Sequence, residues 1–187
     1  MSKPLLIIIS GRSCTGKTTL GKKISTEFNL PFVSRDELKE SLFDNLGWKD
    51  RDWSRKLGIA SYSLLYLFIE TLLAKKVSFV VESNFIPTFD NEKFANLQKK
   101  YQFRIMQIFC YANEEVLCQR FKKRSESRER HPGHVDHLNY AEVKNCSLRN
   151  ENVKLDVTDN VFDLETTDFN KINYDKLFVA IKSLIIF

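Results

Sequence analysis

The stretch from Gly11 to Thr18 has the residue types and spacing of a phosphate-binding loop. It reads Gly-Arg-Ser-Cys-Thr-Gly-Lys-Thr and matches G-x-x-x-x-G-K-[ST] at every fixed position. In such a loop the backbone N–H groups face a phosphate, the lysine reaches the β- and γ-phosphate oxygens, and the last hydroxyl ligates Mg²⁺. We therefore expect Lys17 to bind nucleotide phosphate and Thr18 to bind magnesium. The same loop should supply further nucleotide contacts from Gly11, Ser13, Cys14, Thr15, Gly16 and Thr19.

The sequences flanking this loop agree with that interpretation. Residues 5–10 form an apolar run typical of a buried strand, and residues 17–28 have helical periodicity. A helix that begins at Lys17 directs the positive end of its dipole towards the same anion. The string nearest to the guanine-selecting motif N-K-x-D is 170–173, which ends in Asn instead of Asp. The expected ligand is therefore ATP with Mg²⁺, not GTP.

Polar residues follow the second predicted strand, residues 32–34. Because parallel strands end at a common edge, Ser34, Arg35 and Asp36 should lie beside the phosphate-binding loop. In a structural interpretation, Ser34 and Glu37 form a capping box, and Asp36 favours the positive end of the helix. In a catalytic interpretation, Asp36 is the base that orients and deprotonates an acceptor hydroxyl near the γ-phosphate. The two interpretations are compatible, and the pattern leaves both open.

Glu82 ends the third predicted strand, residues 78–82, at the same edge of the sheet. A carboxylate in this place can hold the water shell of a magnesium ion beside a phosphate-binding loop. The alternative is an ordinary polar residue at the end of a strand. Position alone does not decide between the two.

Basic residues are concentrated between residues 119 and 131, which carry six Lys or Arg against two Glu, in a chain of net charge +5. Arg120 and Arg124 are four residues apart and share a helix face, and Arg128 and Arg130 follow. Guanidinium groups above a triphosphate would neutralise the charge that develops during phosphoryl transfer. A solvated, salt-bridged face and a nucleic-acid surface are the alternatives.

Three histidines, His131, His134 and His137, are spaced three apart around a Pro-Gly pair. Such spacing invites comparison with a zinc site, which in proteins is usually completed by cysteine or a further histidine. The sequence has no cysteine close to this cluster and no other clear set of ligands. The cluster is therefore left without an assigned role.

Short apolar runs alternate with helical segments along the chain, which predicts a parallel sheet covered by helices. The predicted strands are residues 5–10, 32–34, 78–82, 104–111 and 161–165. The predicted helices are residues 17–28, 37–46, 53–75, 91–100, 114–123, 137–145 and 174–184. The third helix is the best marked, and its apolar face is predicted to contain Trp53, Leu57, Ala60, Leu64, Leu65, Phe68 and Leu72.

The composition predicts one packed domain, because 43% of the 187 residues are hydrophobic and only ten are Gly or Pro. The apolar runs 5–9 and 64–69 are too short to cross a membrane or to act as a secretory signal. The four cysteines include no C-x-x-C pair. We therefore expect a cytoplasmic protein with free thiols and no membrane contact.

In this order, the phosphate-binding loop, the Arg-Asp pair, the acidic strand end and the R-x-x-x-R of residues 120–124 resemble the small P-loop kinases. The chain is most similar to the polynucleotide 5′-hydroxyl kinase, zeta-toxin and chloramphenicol phosphotransferase-like group. The similarity covers roughly residues 1–137 and, more loosely, the final strand and helix. It implies a three-layer α/β fold with a five-stranded parallel sheet in the order 2-3-1-4-5. It also implies one kinase domain over residues 1–187, with a basic lid at about 120–137.

The resemblance also implies roles for residues of the nucleotide side. Lys17, Asp36 and Arg124 would be catalytic, with Asp36 activating the acceptor and Arg124 lying on the phosphates. Arg120 would lie near the adenine. Glu82 would join Thr18 as a metal ligand, although the polynucleotide kinases have aspartate at the position of Glu82.

On the acceptor side, the resemblance implies a set of substrate-binding residues. Asn84 occupies the place of the Asn in an Asp-Thr-Asn motif of the polynucleotide kinases. Lys39 stands where those kinases carry an arginine that contacts substrate phosphate, so the acceptor is open, because Arg and Lys bind phosphate differently. The substrate-binding residues would be Arg35, Asp36, Lys39, Asn84 and Arg128.

The activity implied is transfer of the γ-phosphoryl group of ATP to a hydroxyl group, with Mg²⁺ as cofactor. A small-molecule acceptor such as a nucleoside, sugar or antibiotic-like alcohol is expected rather than a nucleic-acid 5′ end. The alternative from another class is a regulatory module that binds or hydrolyses ATP and has no acceptor.

Overall fold

A five-stranded, wholly parallel sheet forms the centre of the computed structural model, which describes residues 3–127, 130–135 and 153–185. Its spatial order is β2-β3-β1-β4-β5. This confirms the predicted order 2-3-1-4-5 and the P-loop kinase fold. The strands are β1 (Leu5–Gly11), β2 (Phe32–Ser34), β3 (Phe79–Glu82), β4 (Arg104–Tyr111) and β5 (Val161–Glu165).

Helices connect the strands and cover both faces of the sheet. The helices in the described residues are α1 (Lys17–Phe28), α2 (Arg35–Leu46), α3 (Arg51–Ala74), α4 (Pro87–Tyr101), α5 (Glu114–Glu126) and α6 (Tyr174–Ile185). The 3₁₀ helices among the described residues are short and span Pro132–His134 and Phe169–Lys171. The predicted helix 137–145 lies outside the described residues.

The strand β1 divides its side chains between two hydrophobic cores. All seven of its residues are buried, as expected for a central strand with helices on both faces. Residues 5, 7 and 9 join the buried residues of α1 and α6 in one cluster. Leu6 and Ile8 face the opposite side and join the buried residues of α3 and α4. The result is a helix–sheet–helix arrangement of three layers.

The register of the strands brings polar residues together at the carboxyl edge of the sheet. Glu82 at the end of β3 pairs with Ile9 of β1 on one side and with Ser34 of β2 on the other. Gly11 ends β1 next to Cys110 of β4, so the phosphate-binding loop starts at the same edge. The register therefore places Ser34 and Glu82 side by side below the loop.

The buried face of helix α3 matches the predicted one only in part, since Leu57 and Leu65 are the residues common to both. Its buried residues are Ser54, Leu57, Ser61, Leu65, Ile69 and Leu73. Phe68, predicted to be in the core, is 44% exposed. The buried stripe contains small hydroxyl residues that hydrogen-bond locally or to α2, so a pattern that counts only apolar residues misplaces part of the face. By length and composition α3 could also cross a membrane, but core helices of globular proteins meet the same criterion.

Several helices begin or end at residues other than those predicted. Helix α2 begins at Arg35 instead of 37, immediately after β2, and α4 begins at Pro87 instead of 91. Proline is favoured in the first turn of a helix, because its missing N–H would have no helical acceptor there. Helix α5 continues to Glu126, three residues beyond the predicted end, and so extends the basic face.

Candidate active site

The phosphate-binding loop has the curled backbone that anion binding requires. Gly16, at the amino-terminal cap of α1, has a φ of 82°, and Cys14 also has a positive φ, of 67°. Residues with a positive φ turn the backbone so that successive N–H groups point towards one centre, where an anion can bind. The carbonyl oxygen of Arg12 accepts hydrogen bonds from Thr15 Oγ1 at 2.8 Å and from Lys17 Nζ at 2.9 Å. Lys17 is buried, so its ammonium group is held over the loop.

Glu82 is the centre of a buried polar cluster beside the loop. Its Oε2 accepts hydrogen bonds from Ser34 Oγ at 2.7 Å and from Thr18 Oγ1 at 3.1 Å. Its Oε1 lies 3.8 Å from Lys17 Nζ. Ser34 makes no side-chain cap on α2, so the capping-box interpretation with Glu37 is wrong. The Ser34 hydroxyl instead donates its hydrogen bond to Glu82, because the register of β2 and β3 places Ser34 and Glu82 side by side.

The oxygens of Glu82 and Thr18 fit a magnesium site. Carboxylate and hydroxyl oxygens are hard ligands of the type that Mg²⁺ prefers, and it usually takes only one or two from the protein. Both residues line the cleft above the loop. The hydrogen bond between them keeps the two oxygens close together, while Ser34 orients the carboxylate from behind.

A cleft of about 440 Å³ lies above the loop, and most of the predicted site residues line it. Its lining includes Ser13, Cys14, Gly16, Lys17, Thr18, Thr19, Arg35, Asp36, Glu82, Asn84, Arg120 and Arg124. Ser83, Lys123 and Phe169 also line it. Gly11 and Thr15 belong to the loop but do not line this cleft among its described residues. Arg128 lies outside the described residues.

Lys39 lies away from this cleft. Its ammonium group is buried between α2 and α3, where Nζ donates a hydrogen bond to Ser54 Oγ at 3.0 Å. It also lies 5.2 Å from the centre of the Phe43 ring. In this position Lys39 supports the packing of the helices, and the described lining of the cleft does not include it.

Arg120 joins α5 to the loop that follows β5. Its guanidinium group stacks 3.8 Å from the centre of the Phe169 ring. It donates hydrogen bonds to the carbonyl oxygens of Thr167 at 2.9 Å and Cys14 at 3.4 Å. Burial lowers the pKa of Arg120, without removing its charge near neutral pH. Phe169 was not predicted to be in the site, since nothing in the local sequence after β5 marks it.

Asp36 is held by two arginines at the start of α2. Its Oδ2 lies 2.6 Å from Nη2 of Arg130, and its Oδ1 lies 3.5 Å from Nη2 of Arg35. Desolvation raises the pKa of Asp36, but the charges of Arg130 and Arg35 outweigh it and hold the pKa below its usual range. The carboxyl group is therefore ionised at neutral pH. It can accept a hydrogen bond from a hydroxyl group in the cleft.

Arg130 is in turn held by His134 and Glu40. Its Nη2 lies 3.1 Å from His134 Nδ1, and His134 Nε2 lies 2.9 Å from Glu40 Oε1. Because arginine has only donors, Nδ1 must accept, and Nε2 therefore carries the proton that it donates to Glu40. Burial lowers the pKa of His134, which favours this neutral form. The hydrogen-bonded chain is Glu40–His134–Arg130–Asp36.

The segment 130–135, called here the docked segment, packs on the aromatic face of α2. The ring of His131 stacks on Phe43, with centroids 5.0 Å apart. Gly133 approaches Phe43 so closely that an added Cβ would lie 2.6 Å from the ring. This packing gives the histidines a role that the sequence did not reveal. No group of three metal-ligating residues occurs in the described parts of the chain, and His137 lies outside them.

A second, smaller cavity of about 230 Å³ opens beside the cleft. Arg35 and Asn84 line both cavities, so the two are adjacent at these residues. We call it the side pocket, lined by Gly11, Arg12, Arg35, Tyr62, Asn84, Phe85, Ile86 and Pro87. Arg12 was not predicted to take part in ligand binding, because its position in the loop motif tolerates any residue.

The chain is similar to a known protein family and to several solved structures. The AAA_33 model, described as an AAA domain, matches residues 6–144. A candidate kinase from Chloroflexus aurantiacus is 34% identical, with a TM-score of 0.90 and coverage of 98% of this chain and 99% of that one. No curated protein shows a significant match to the sequence.

More distant structures share the fold alone. A gluconokinase from Sinorhizobium meliloti is 17% identical, with a TM-score of 0.55 and coverage of 98% and 95% of the two chains. A chain of the Pnkp1/Rnl/Hen1 RNA repair complex is 16% identical, with a TM-score of 0.53 and coverage of 85% of this chain and 50% of that one. The match over residues 6–144, together with the sheet order and the phosphate-binding loop, shows that this chain belongs to the AAA_33 family and is a small P-loop kinase by fold.

Proposed function

We propose that this protein transfers the γ-phosphoryl group of ATP to a hydroxyl group of a small molecule. The observation that carries the proposal is the meeting of three features in one cleft: the phosphate-binding loop, the Thr18–Glu82 oxygen pair and the ionised Asp36. An ATP-binding module without an acceptor would need the loop and the metal ligands. It would not need an ionised carboxylate held in the same cleft beside the loop.

The phosphate side of the reaction uses the loop and its lysine. The backbone N–H groups of the loop and the amino-terminal end of α1 bind the phosphates, and Lys17 contacts the β- and γ-phosphate oxygens. Thr18 and Glu82 would hold Mg²⁺, which neutralises phosphate charge when bound. Arg120, Lys123 and Arg124 line the same cleft and supply positive charge there.

The acceptor side of the reaction uses Asp36. Arg130 holds Oδ2, which leaves Oδ1 to accept the hydrogen bond of the acceptor hydroxyl. The hydroxyl oxygen forms a bond to the γ-phosphorus, the bond from that phosphorus to the bridging oxygen breaks, and ADP leaves. The hydroxyl proton passes to Asp36. Because ion pairing makes this carboxylate a weak base, its main contribution is to orient the hydroxyl until late in the transfer.

A small molecule is favoured over a nucleic-acid end by the size of the side pocket, which adjoins the cleft at Arg35 and Asn84. The side pocket has a volume of about 230 Å³ and is bounded by Tyr62 and Pro87. Tyr62 is fixed there, since its hydroxyl donates a hydrogen bond to the carbonyl oxygen of Asn84 at 2.7 Å. A single sugar or comparable group fills such a space, while a polymer needs an open groove beside it.

The test is to follow the γ-phosphoryl group of labelled ATP in the presence of a panel of hydroxyl compounds. The panel contains sugars, sugar acids, nucleosides and a 5′-hydroxyl oligonucleotide. We expect label to appear on one small-molecule class, and Lys17→Met to abolish the transfer. Label released only as inorganic phosphate, with every compound, would contradict the proposal and favour a regulatory ATPase. Label on the oligonucleotide alone would contradict the small-molecule acceptor.

A further inference from the structure

Two arginines give the side pocket a positive charge. Its described lining contains Arg12 and Arg35 and no aspartate or glutamate. Both side chains are largely buried, with 14% of Arg12 and 21% of Arg35 exposed. Burying a guanidinium group costs free energy unless hydrogen bonds and an opposite charge compensate for the lost water.

The contacts that compensate for the burial of Arg35 are weak. Its contact with Asp36 is 3.5 Å long, and Asp36 is shared with Arg130, which lies closer at 2.6 Å. The guanidinium group also lies 4.6 Å from the centre of the Tyr62 ring. Its buried Nε has no hydrogen-bond partner in the part of the chain that the structure describes. Arg35 therefore retains positive charge and a donor at the junction of the two cavities.

Arg12 has a partner that a ligand can replace. Its Nη1 donates a hydrogen bond to Glu114 Oε1 at 3.2 Å, and the side chain of Glu114 is 58% exposed. Ion pairs with an exposed member contribute little to stability, because water and salt screen them. A ligand anion inside the pocket would be less well solvated and would attract Arg12 more strongly.

We propose that the phosphoryl acceptor is an anionic alcohol, whose carboxylate or phosphate group binds to Arg12 and Arg35 in the side pocket. This inference rests on the proposed function and names the acceptor class. Arg35 and Asn84 line both cavities, so one small molecule can place its anion in the pocket and its hydroxyl against Asp36. Guanidinium groups bind carboxylate and phosphate through paired hydrogen bonds, which also fixes the orientation of the ligand.

The experiment compares acids with neutral compounds of the same skeleton. Calorimetry is carried out on the full chain saturated with Mg²⁺ and the non-hydrolysable ATP analogue AMP-PNP. The pairs are gluconate and glucitol, glycerate and glycerol, and a nucleoside 3′-monophosphate and its nucleoside. We expect the acid of at least one pair to bind at least about tenfold more tightly than its neutral partner. A preference for the acid in the first two pairs indicates a carboxylate ligand, and a preference in the nucleotide pair indicates a phosphate ligand.

Variants then assign the preference to the pocket. Arg12→Gln and Arg35→Gln should each weaken binding of the preferred acid about 10- to 100-fold and weaken binding of its neutral partner much less. Arg55→Gln is the matched control, since it removes the same charge from an exposed site on α3 that lines neither cavity. Binding of AMP-PNP and the urea midpoint show that each variant is folded.

The outcomes separate this inference from the proposed function. Equal binding of acids and neutral partners overturns it, and so does a panel in which no acid binds. An acid preference that survives both pocket variants, or that falls equally in Arg55→Gln, overturns it as well. If acids bind in the expected way and no label is transferred to them from ATP, the anion site is supported and the phosphotransferase proposal fails.

Discussion

Nη2 of Arg130 lies 2.6 Å from Oδ2 of Asp36, although 94 residues separate the two in sequence. Arg130 belongs to the docked segment, and Asp36 stands at the start of α2 beside the phosphate-binding loop. Arg130 is not among the described residues that line the cleft, so it acts on the site through Asp36. The pair therefore couples docking of the segment to the position of the carboxylate that faces the acceptor.

Removal of Arg130 should impair transfer more than nucleotide binding. In Arg130→Gln, Asp36 loses its closest cation, so its orientation loosens and its pKa rises. We expect kcat to fall about 10- to 100-fold with little change in the KM for ATP. Arg130→Lys should recover only part of the rate, because a lysine ammonium group does not reproduce the planar, rigid donor geometry with which Nη2 contacts both Asp36 and His134.

The controls for this prediction use steady-state kinetics of two further variants. Lys122→Gln removes a similar charge from an exposed position on α5 and should keep the wild-type rate. Asp36→Asn should lose activity, and adding Arg130→Gln to it should cost little more, since the two residues act as one unit. Fully additive losses would show that Arg130 acts independently of Asp36.

His134 should make the stability of the protein sensitive to mildly acidic pH. Burial lowers its pKa below the ordinary histidine value of 6.5, so the unfolded chain binds the proton more readily than the folded one. Its contribution to the free energy of unfolding is therefore fully present above about pH 6.5 and decreases as the pH falls below that value. The charged groups that face it are Arg130 from its own segment and Asp36, Lys39 and Glu40 from α2.

The measurement is urea unfolding at pH 7.5 and pH 5.5 for the wild type and His134→Gln. Glutamine keeps one donor and one acceptor but does not titrate in this range. We expect the difference in the free energy of unfolding between the two pH values to be smaller in the variant. Protonation of Nδ1 would also remove the acceptor for Arg130, so the transfer rate of the wild type should fall over the same range. An equal pH difference in both proteins would refute this role of His134.

Gly133 should be intolerant of even a methyl group. An alanine Cβ would lie 2.6 Å from Cγ of Phe43, and Phe43 is fully buried. Either the ring or the docked segment must shift, which should destabilise the protein by roughly 1–3 kcal/mol. Transfer should slow as well, because Arg130 moves with the segment.

A glycine-to-alanine control is available in the neighbouring helix. Gly58 lies within α3, and an added Cβ there would have its nearest described contact at 3.7 Å, with Lys39. Gly58→Ala should be neutral or stabilising by up to about 1 kcal/mol, since alanine is the better helix former. Adding Phe43→Leu to Gly133→Ala should recover part of the lost stability. Equal effects of the two glycine variants in urea unfolding would exclude close packing as the cause.

The sequence predicted those parts of the molecule that depend on local pattern. The loop and the positions of Asp36 and Glu82 at one edge follow from a P-loop motif and from parallel strands that end together. The strand order was implied by the resemblance to the small P-loop kinases. The partners of these residues depend on register and tertiary packing. Ser34 bonds to Glu82 instead of capping α2, because the two are neighbours across paired strands.

Contacts between residues that are far apart in sequence could not be predicted from the sequence pattern. Arg130 and His134 reach α2 from 94 residues away, and Phe169 reaches Arg120 from the loop after β5. Residue type alone is compatible with a solvated basic face or with such contacts, since each side chain has many possible partners. Similarly, the buried face of α3 was predicted only in part because serines, such as Ser54, occupy positions along it.

Ser34 should control the magnesium requirement of the site. Its hydroxyl holds Oε2 of Glu82 at 2.7 Å, the same oxygen that accepts the hydrogen bond of Thr18. In Ser34→Ala this buried carboxylate loses an orienting bond. We expect the Mg²⁺ concentration that half-maximally supports AMP-PNP binding to rise by about tenfold, as for other residues that orient a metal ligand. Stability should fall by about 1–3 kcal/mol, because a buried charged acceptor loses a donor.

The control for this last prediction is Ser25→Ala on α1. Ser25 Oγ donates a hydrogen bond of 2.6 Å to the carbonyl oxygen of Leu30, away from the cleft, so the variant also loses one hydroxyl bond. It should lower stability without changing the magnesium requirement. Calorimetric titrations of AMP-PNP at a series of Mg²⁺ concentrations distinguish the two effects, since a loss of fold lowers binding at every concentration. If saturating Mg²⁺ does not restore the affinity of Ser34→Ala, or if Ser25→Ala shifts the requirement equally, Ser34 does not orient the metal ligand. If both variants keep the wild-type requirement, Glu82 does not depend on Ser34 for metal binding.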